Sequence, residues 1–502
     1  MESKNKRKSS CLAVFGTGSE VGKSFVTTAL CRALSNRGFR IAPFKAQNMS
    51  NNSGVTPEGL EMGRAQIVQA EASRIPPHTD MNPILLKPSG ESGSQIILLG
   101  NLLRNTTPLE YYQKKAYLRD NACSALTRLM DQFPYIIIEG AGSCAEVNLE
   151  KDDIVNFKIA EYADAPVILV ADIHRGGVFG QIIGTLACLP KKSRDRIAGI
   201  IINRFRGDLK LFAGATRWIE KKTRKQVLGI LPWEDRIRID AEDSVTIENP
   251  KPVSSGKSGN PAVAVIRFPH ISNFTDVDPL TRIPGLDLFF IEKKQDLSFF
   301  KAIILPGSKH TRADLDWLVS TGWKEEIRKY VNHGGHLLGI CGGYQMLGIS
   351  ISDPDGIEGN PGTSTGLELL PVETCLMSPK TTTLTRFGWG KEKGSGYEIH
   401  MGRTLRYGGH PLFSIEMRNG VLCRDEDGCR SANSKIMGTY LHGLFESPGI
   451  IRRWLKIMDL DRLKVPEEDY LSFRDKAYDE LAIHFETHIR MDAIINLLQP
   501  KE

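Results

Sequence analysis

Two short stretches of this 502-residue chain carry residue types that could do chemistry. The first is H-L-L-G-I-C-G-G-Y-Q-M-L-G, residues 336–348, which reads as a buried strand that stops at Cys341 and restarts as a helix. Gly339 and Gly343 stand two positions either side of Cys341, the spacing of a nucleophile elbow, where a sharp strand-to-helix turn lifts the reactive atom out of a sheet. A thiol there faces a helix N-terminus, whose unpaired amides and positive dipole end favour the thiolate. A packed core cysteine is the plainer alternative, since free cysteine is among the most buried residue types. Further on, G-T-Y-L-H-G-L-F, residues 438–445, ends a strand-like run with His442 beside Gly443, which suits a base that meets the thiol in space rather than in sequence. His400, in G-Y-E-I-H-M-G, is the rival base; its strand-internal setting is more often structural.

The second stretch is G-T-G-S-E-V-G-K-S, residues 16–24, between an apolar strand over 12–15 and a helix over 25–37. This order predicts a phosphate-binding loop. Backbone amides around Gly16, Thr17, Gly18 and Gly22 close on phosphate oxygens, Lys23 reaches the outer phosphates, and the Ser24 hydroxyl holds a magnesium ion. The loop is one residue longer than the strict G-x-x-x-x-G-K-[ST] pattern, because Thr17 stands where that pattern has its first glycine. Strand 135–138 ends at Glu139, an acid placed to hold magnesium opposite Ser24. The run K-A-Q-N-M-S-N-N-S, residues 45–53, follows another strand, at the end where α/β sheets bind their ligands. An Asn/Ser-rich turn has the same composition.

The elements that must position these groups alternate as apolar strands and helical segments, which predicts α/β architecture with two doubly wound units. The first, residues 1–248, carries the phosphate loop; residues 249–261, rich in Pro, Ser, Gly and Lys, read as a linker; residues 262–502 carry the cysteine elbow and end in amphipathic helices from Pro448 that close this unit. With 41% hydrophobic and 25% charged residues the chain is of ordinary globular composition. A net charge of +6 is slight at this length, and the one basic run, Lys4 to Lys8, reads as a solvated tail rather than a nucleic-acid contact. Nine scattered cysteines with no repeated C-x-x-C fit a reducing cytoplasm. No apolar run is long enough to span a bilayer, and no leader pattern opens the chain.

G-I-C-G-G with a distant H-G resembles the triad-type class I glutamine amidotransferases, and the long phosphate loop resembles the dethiobiotin synthetase branch of P-loop proteins. K-A-Q-N-M-S-N-N-S, E-M-G-R-A-Q (61–66) and M-N-P-I-L-L-K-P (81–88) resemble the cobyric acid synthases, a likeness that covers nearly the whole chain. The resemblance implies a glutamyl thioester on Cys341, with Gly307 or Ser308 and Gly342 as amide donors to the oxyanion and L-glutamine as the nitrogen source. It implies ATP and Mg2+ in the first unit, with Asn203 at the nucleotide base. It also implies a corrinoid substrate, cobyrinic acid a,c-diamide, amidated at carboxylates b, d, e and g in cobalamin biosynthesis, with Lys45, Gln47, Asn48, Asn51 and Asn52 as substrate contacts. The chain departs from the family pattern at Cys144, His174 and His310, and Leu444 stands where the triad glutamate is usual, so Glu446 or an acid elsewhere must orient His442. Two other readings stay open: a related amidase acting on cobyrinate or a peptidoglycan precursor, and a P-loop switch ATPase with an inactive amidotransferase module.

Overall fold

The computed structural model describes residues 9–88, 93–106, 108–148, 153–234, 237, 239–240 and 259–499. The basic run 4–8 and most of the expected linker lie outside them. The first unit is built on six parallel strands in the order Gln226–Pro232, Ile197–Phe205, Val167–Asp172, Ser10–Gly16, Tyr135–Glu139 and Ile41–Phe44. Val167–Asp172 is buried at all six positions, as a strand covered on both faces must be, which explains its unbroken apolar run. Strand order reverses at Ser10–Gly16, and at this switch point the phosphate loop leaves the sheet and enters helix Lys23–Asn36. A smaller four-stranded sheet, Gln47–Met49, Ile84–Pro88, Ser94–Leu98 and Asn101–Thr106, is added beside it, and the polar run 45–53 supplies its edge strand.

The second unit repeats the theme. Strands Asp287–Ile291, Ala262–Ile266, Ala302–Leu305, His336–Ile340 and Ile436–Thr439 are parallel, with Cys429–Arg430 antiparallel at the edge. Beside them stands an antiparallel sheet in the order Val421–Asp427, Phe413–Arg418, Thr381–Trp389, Glu392–His400, Leu441–His442. His442 is thereby paired with Tyr397 rather than left at a loop tip.

The helices after Pro448 divide between the units. Pro448–Ile457 packs Ile450, Ile451, Trp454 and Leu455 into the second unit, as expected. Tyr470–His488 and Met491–Leu498 instead bury Tyr478, Leu481, Phe485, Ile494 and Leu498 with Leu12, Val26, Leu30 and Ile168 of the first. Arg32, fully buried, fixes the register: its Nε donates to Asp479 Oδ1 at 2.8 Å and its guanidinium also pairs with Asp475. Arg490 N donates to Leu228 O at 2.9 Å, docking the chain end on the edge strand. The amphipathic pattern announces a buried face but not which sheet covers it.

Truncating Phe485 to Ala should therefore destabilise the nucleotide unit by roughly 3–5 kcal/mol, the range for a buried aromatic, while Leu471→Ala at an exposed position of the same helix should stay within about 0.5 kcal/mol. Chemical denaturation followed by tryptophan fluorescence reads both; equal effects would place the helix outside that core.

Candidate active sites

Strand His336–Ile340 ends at Cys341, whose backbone adopts φ 53°, ψ −109°, before helix Gly342–Met346. Such a conformation is strained for a residue with a Cβ and persists only where the surroundings hold it. Cys341 N donates to Thr439 O at 2.8 Å, and its carbonyl accepts Gln345 N at 3.1 Å. The flanking glycines admit the turn: a Cβ on Gly343 would lie 2.0 Å from Leu305 O, and one on Gly339 2.6 Å from Gly343 O. The thiol is buried and points toward Ile399 O at 3.4 Å.

His442 lies against this thiol and is 1% exposed. Its orienting acid is Asp276, whose Oδ2 is 2.6 Å from His442 Nδ1 and whose Oδ1 accepts Gly443 N at 2.9 Å. With Nδ1 held by the carboxylate, Nε2 is the nitrogen left for sulfur. Burial pushes the imidazole pKa down, but Asp276 first and the Cys341 sulfur second outweigh it and hold the group at about 10. This favours the imidazolium, the partner a thiolate needs.

Glu446 does not orient the histidine. Its carboxylate accepts from Arg474 Nη1 at 3.3 Å and lies 4.0 Å from Arg64 Nη2. Nor does His400 match His442: its ring stacks on Tyr440 at 3.7 Å, and the nearest carboxylate oxygen, of Glu398, is 3.6 Å away.

The oxyanion candidates converge on the elbow. A Cβ on Gly342 would stand 2.8 Å from Ser308 N, and one on Gly307 3.3 Å from His442 Cε1. The Ser308 hydroxyl is occupied, donating to Asp314 Oδ2 at 2.5 Å, which leaves its backbone N–H, beside Gly342, as the candidate donor. His310 caps helix Thr311–Ser320 by accepting Ala313 N at 3.4 Å, the task an asparagine would perform there.

In the first unit, Lys23 Nζ donates to Gly142 O at 2.9 Å and Gly18 O at 3.2 Å, folded over the loop. Gly22 has φ 90°, and a Cβ on it would lie 2.1 Å from Asn203 Nδ2, which donates to Val21 O at 2.9 Å. Asn203 thus packs on the phosphate loop, as does the backbone of Cys144, whose N donates to Gly16 O at 3.0 Å, while Thr17 within the loop donates its hydroxyl to Gln181 Oε1 at 3.4 Å. The Cys144 thiol, pushed up to about 12 by burial, is neutral there despite the nearby Lys23. Ser24 Oγ donates to Glu139 Oε1 at 2.8 Å. A hydroxyl and a carboxylate this close are hard oxygen donors of the kind that fit Mg2+.

Lys45 stands at the same carboxylate, Nζ 2.8 Å from Glu139 Oε1, and Gln69 Nε2 donates to Oε2. Of the other residues expected at the substrate, Asn48 donates to Gln66 Oε1 at 3.0 Å, Gln47 accepts from Tyr111, and Asn52 N donates to Ser50 Oγ at 3.0 Å. Asn51 Oδ1 is buried without a hydrogen-bond partner among the described residues. The run ends where Ser53 N donates to Asn273 Oδ1 at 3.0 Å, three residues before Asp276, so one segment links Glu139 to the loop that carries the triad acid. His174 packs its ring against Trp233, with centroids 4.8 Å apart and the planes tilted by 38°. Sequence reasoning singled out neither Asp276 nor Gln69: Asp276 lies far from His442 in the chain, and Gln69 sits inside a helix with no motif of its own.

An elbow cysteine backed by a His–Asp pair, joined in one chain to a phosphate loop with an acid at the neighbouring strand end, defines a glutamine-dependent amidating ligase with a nucleotide-binding unit. Residues 12–247 match the CobQ/CobB/MinD/ParA nucleotide binding domain and residues 262–450 the CobB/CobQ-like glutamine amidotransferase domain. The chain is 51% identical over 458 residues to a cobyric acid synthase of Chlorobaculum tepidum, covering 89% of this chain and 90% of that one. It is 47% identical over 492 residues to one from Chlorobium phaeobacteroides, covering 97% of each, and 42% identical over 488 residues to one from Vibrio parahaemolyticus, covering 96% and 98%. The chain belongs to the cobyric acid synthase family. These relatives favour neither the other amidases nor a switch ATPase. Among the described residues no helix is long and apolar enough to cross a membrane.

Asp276→Asn should lower glutamine hydrolysis by roughly 10²–10⁴-fold, and His442→Ala at least as much, because both remove an oriented base. His400→Ala should cost less. Glutaminase rates on folded variants decide; a larger loss at His400 would make it the base.

Proposed function

We propose that the chain amidates the b, d, e and g carboxylates of cobyrinic acid a,c-diamide in cobalamin biosynthesis, using ATP, Mg2+ and L-glutamine. Residues 1–248 act as the synthetase unit, joined by the helices over 470–498 that pack into its core, and the chain from 262 through the helix ending at Ile457 acts as the amidotransferase unit; the two matched families, over 12–247 and 262–450, support this division. The observation that carries the reading is the pairing of a complete Cys341–His442–Asp276 site with the Lys23–Ser24–Glu139 site in a single chain.

In the amidotransferase unit the Cys341 thiolate attacks the glutamine side-chain amide. Backbone amides of Gly342 and of Gly307 or Ser308 receive the oxyanion, and His442 gives its proton to the departing ammonia. Water, deprotonated by the same imidazole, then cleaves the thioester and releases glutamate. In the synthetase unit, amides around Gly16, Thr17, Gly18 and Gly22 and the Lys23 ammonium bind the ATP phosphates. A substrate carboxylate oxygen attacks the γ-phosphorus, ADP departs, and ammonia displaces phosphate from the acyl phosphate to leave an amide. Ser24 and Glu139 would hold the Mg2+, which when bound would supply charge neutralisation for the phosphates; Asn203 meets the base; Lys45, Gln47, Asn48, Asn51 and Asn52 line the corrinoid side.

Cys341→Ala should lose glutamine-dependent amidation and keep synthesis from ammonium salts, whereas Lys23→Ala should lose both, because phosphate charge in the transition state then lacks its partner. Amide formation from each nitrogen source is measured by mass spectrometry. Retained glutamine use by the first variant, or ammonium rescue of the second, would break the assignment.

One phosphate loop faces several carboxylates spread around a rigid ring, so each round requires the ring to turn, most simply by leaving and rebinding. Partly amidated intermediates should therefore accumulate in solution while substrate exceeds enzyme. An early time course holding only untouched and fully amidated species would show that the ring stays bound.

A further inference from the structure

In the second unit, a cavity of about 640 Å³ lies between the helix Pro448–Ile457 and the antiparallel sheet, and no residue of either candidate site lines it. Its size falls in the range of small-molecule sites, roughly 300–1,000 Å³. Leu412, Phe413 and Ile457 give it apolar walls, while Arg430 from the edge strand and Arg453 and Lys456 from the helix give it charge. Lys456 is exposed and marks the mouth.

Three cations thus meet with no acid to answer them. Glu426, the one carboxylate of the lining, is already engaged, since Arg406 Nη2 donates to it at 2.5 Å. Among the described residues, Arg430, Arg453 and Lys456 form no ion pair. Arg453 and Lys456 stand at i and i+3 on one helix, where like charges repel, and Arg430 adds a third from outside the helix. An anion in the cavity would turn that repulsion into attraction.

Two of the three side chains are also held in place. The Arg453 guanidinium lies 5.2 Å from the centre of the Trp389 ring, and Gly390, at φ 65°, makes room for it, because a Cβ there would stand 2.2 Å from Nη1. Arg430 Nη1 donates to Ser434 Oγ at 2.9 Å, which steadies that guanidinium and leaves its other N–H groups for a ligand. A planar fork that is already oriented loses little freedom on meeting phosphate or carboxylate oxygens.

We infer that this cavity is a binding site for a small polyanion, a molecule carrying at least two phosphate or carboxylate groups, held by Arg430, Arg453 and Lys456. A single negative charge would leave most of the repulsion in place. Phosphate esters and polycarboxylic acids share the required chemistry, and the apolar walls cover the uncharged part of either.

The test is calorimetric titration of the full-length protein with pyrophosphate and, separately, with citrate, at low salt and without Mg2+. Pyrophosphate also suits the phosphate loop, so every protein in the series carries Lys23→Ala. At least one probe should bind with a dissociation constant below about 1 mM, and adding Arg453→Gln or Lys456→Gln should weaken it roughly 10–100-fold, the loss of one charge-assisted hydrogen bond. Tighter pyrophosphate identifies a phosphate ligand, tighter citrate a polycarboxylate. Arg452→Gln, on the same helix but outside the cavity and paired with Glu467 at 3.0 Å, should stay within about twofold. No saturable binding of either probe, unchanged binding in Lys456→Gln, or an equal loss in Arg452→Gln overturns the inference. Should Arg453→Gln fail to fold for want of its contact with Trp389, the exposed Lys456→Gln decides alone.

Discussion

A carboxylate with no solvent exposure, Glu139, is the constraint to which much of the first unit answers. A buried charge is costly unless paired and hydrogen-bonded, and here Lys45, Ser24 and Gln69 come from three different elements to meet it. Each must then be held in place. Lys45 N donates to Met81 O at 2.8 Å and its carbonyl accepts from Asn82 Nδ2 at 3.1 Å, which ties the polar run to the added sheet. Ser24 is carried by the helix after the phosphate loop, and Gln69 by the helix that reaches the second unit. One acid at a strand end thus dictates where three segments of chain go.

The second unit solves a related problem with strain in place of charge. Cys341 is held at positive φ by strands on both sides, and its base arrives from an antiparallel sheet rather than from the parallel one that delivers the thiol. Nucleophile and base are therefore fixed by separate sheets, and Asp276, on the nine-residue helical segment Phe274–Arg282 after a short strand, locks the base from a third direction.

The phosphate loop and the cysteine elbow were legible because each is a local pattern: strand, small residues, reactive group, helix. Two six-stranded α/β sheets followed from apolar runs at regular spacing. Asp276 was not legible beyond the expectation of Glu446 or an acid elsewhere, because it precedes His442 by 166 residues, and the position nearest the histidine where an acid is usual holds Leu444, which packs in the core. The antiparallel sheet around residues 381–427 was equally hidden, since its strands Glu392–His400 and Val421–Asp427 are mostly polar and carry no strong apolar alternation. His310 shows the opposite case, where a departure from the family pattern keeps its physical role as a helix cap.

Ammonia near neutral pH is mostly protonated in bulk water and so is a weak nucleophile, which makes the contact between the units part of the chemistry. That contact is rich in buried charge: Glu61 with Lys87 and Lys380, and the group around Arg64, Arg474 and Asp240. An apolar interface of the same size would hold the units together at least as well, because desolvating ions offsets much of what their pairing contributes. It would not, however, choose one orientation. Lys380 of the second unit has its pKa brought down to about 7 by burial, against the pull of Glu61, so the pair is favourable only when the carboxylate sits in its single docked position. Sliding one unit over the other would leave charges buried and unpaired, at a cost of several kcal/mol each. Ion pairs at this boundary thus trade strength for register, and register is what two active sites that pass a volatile base between them require.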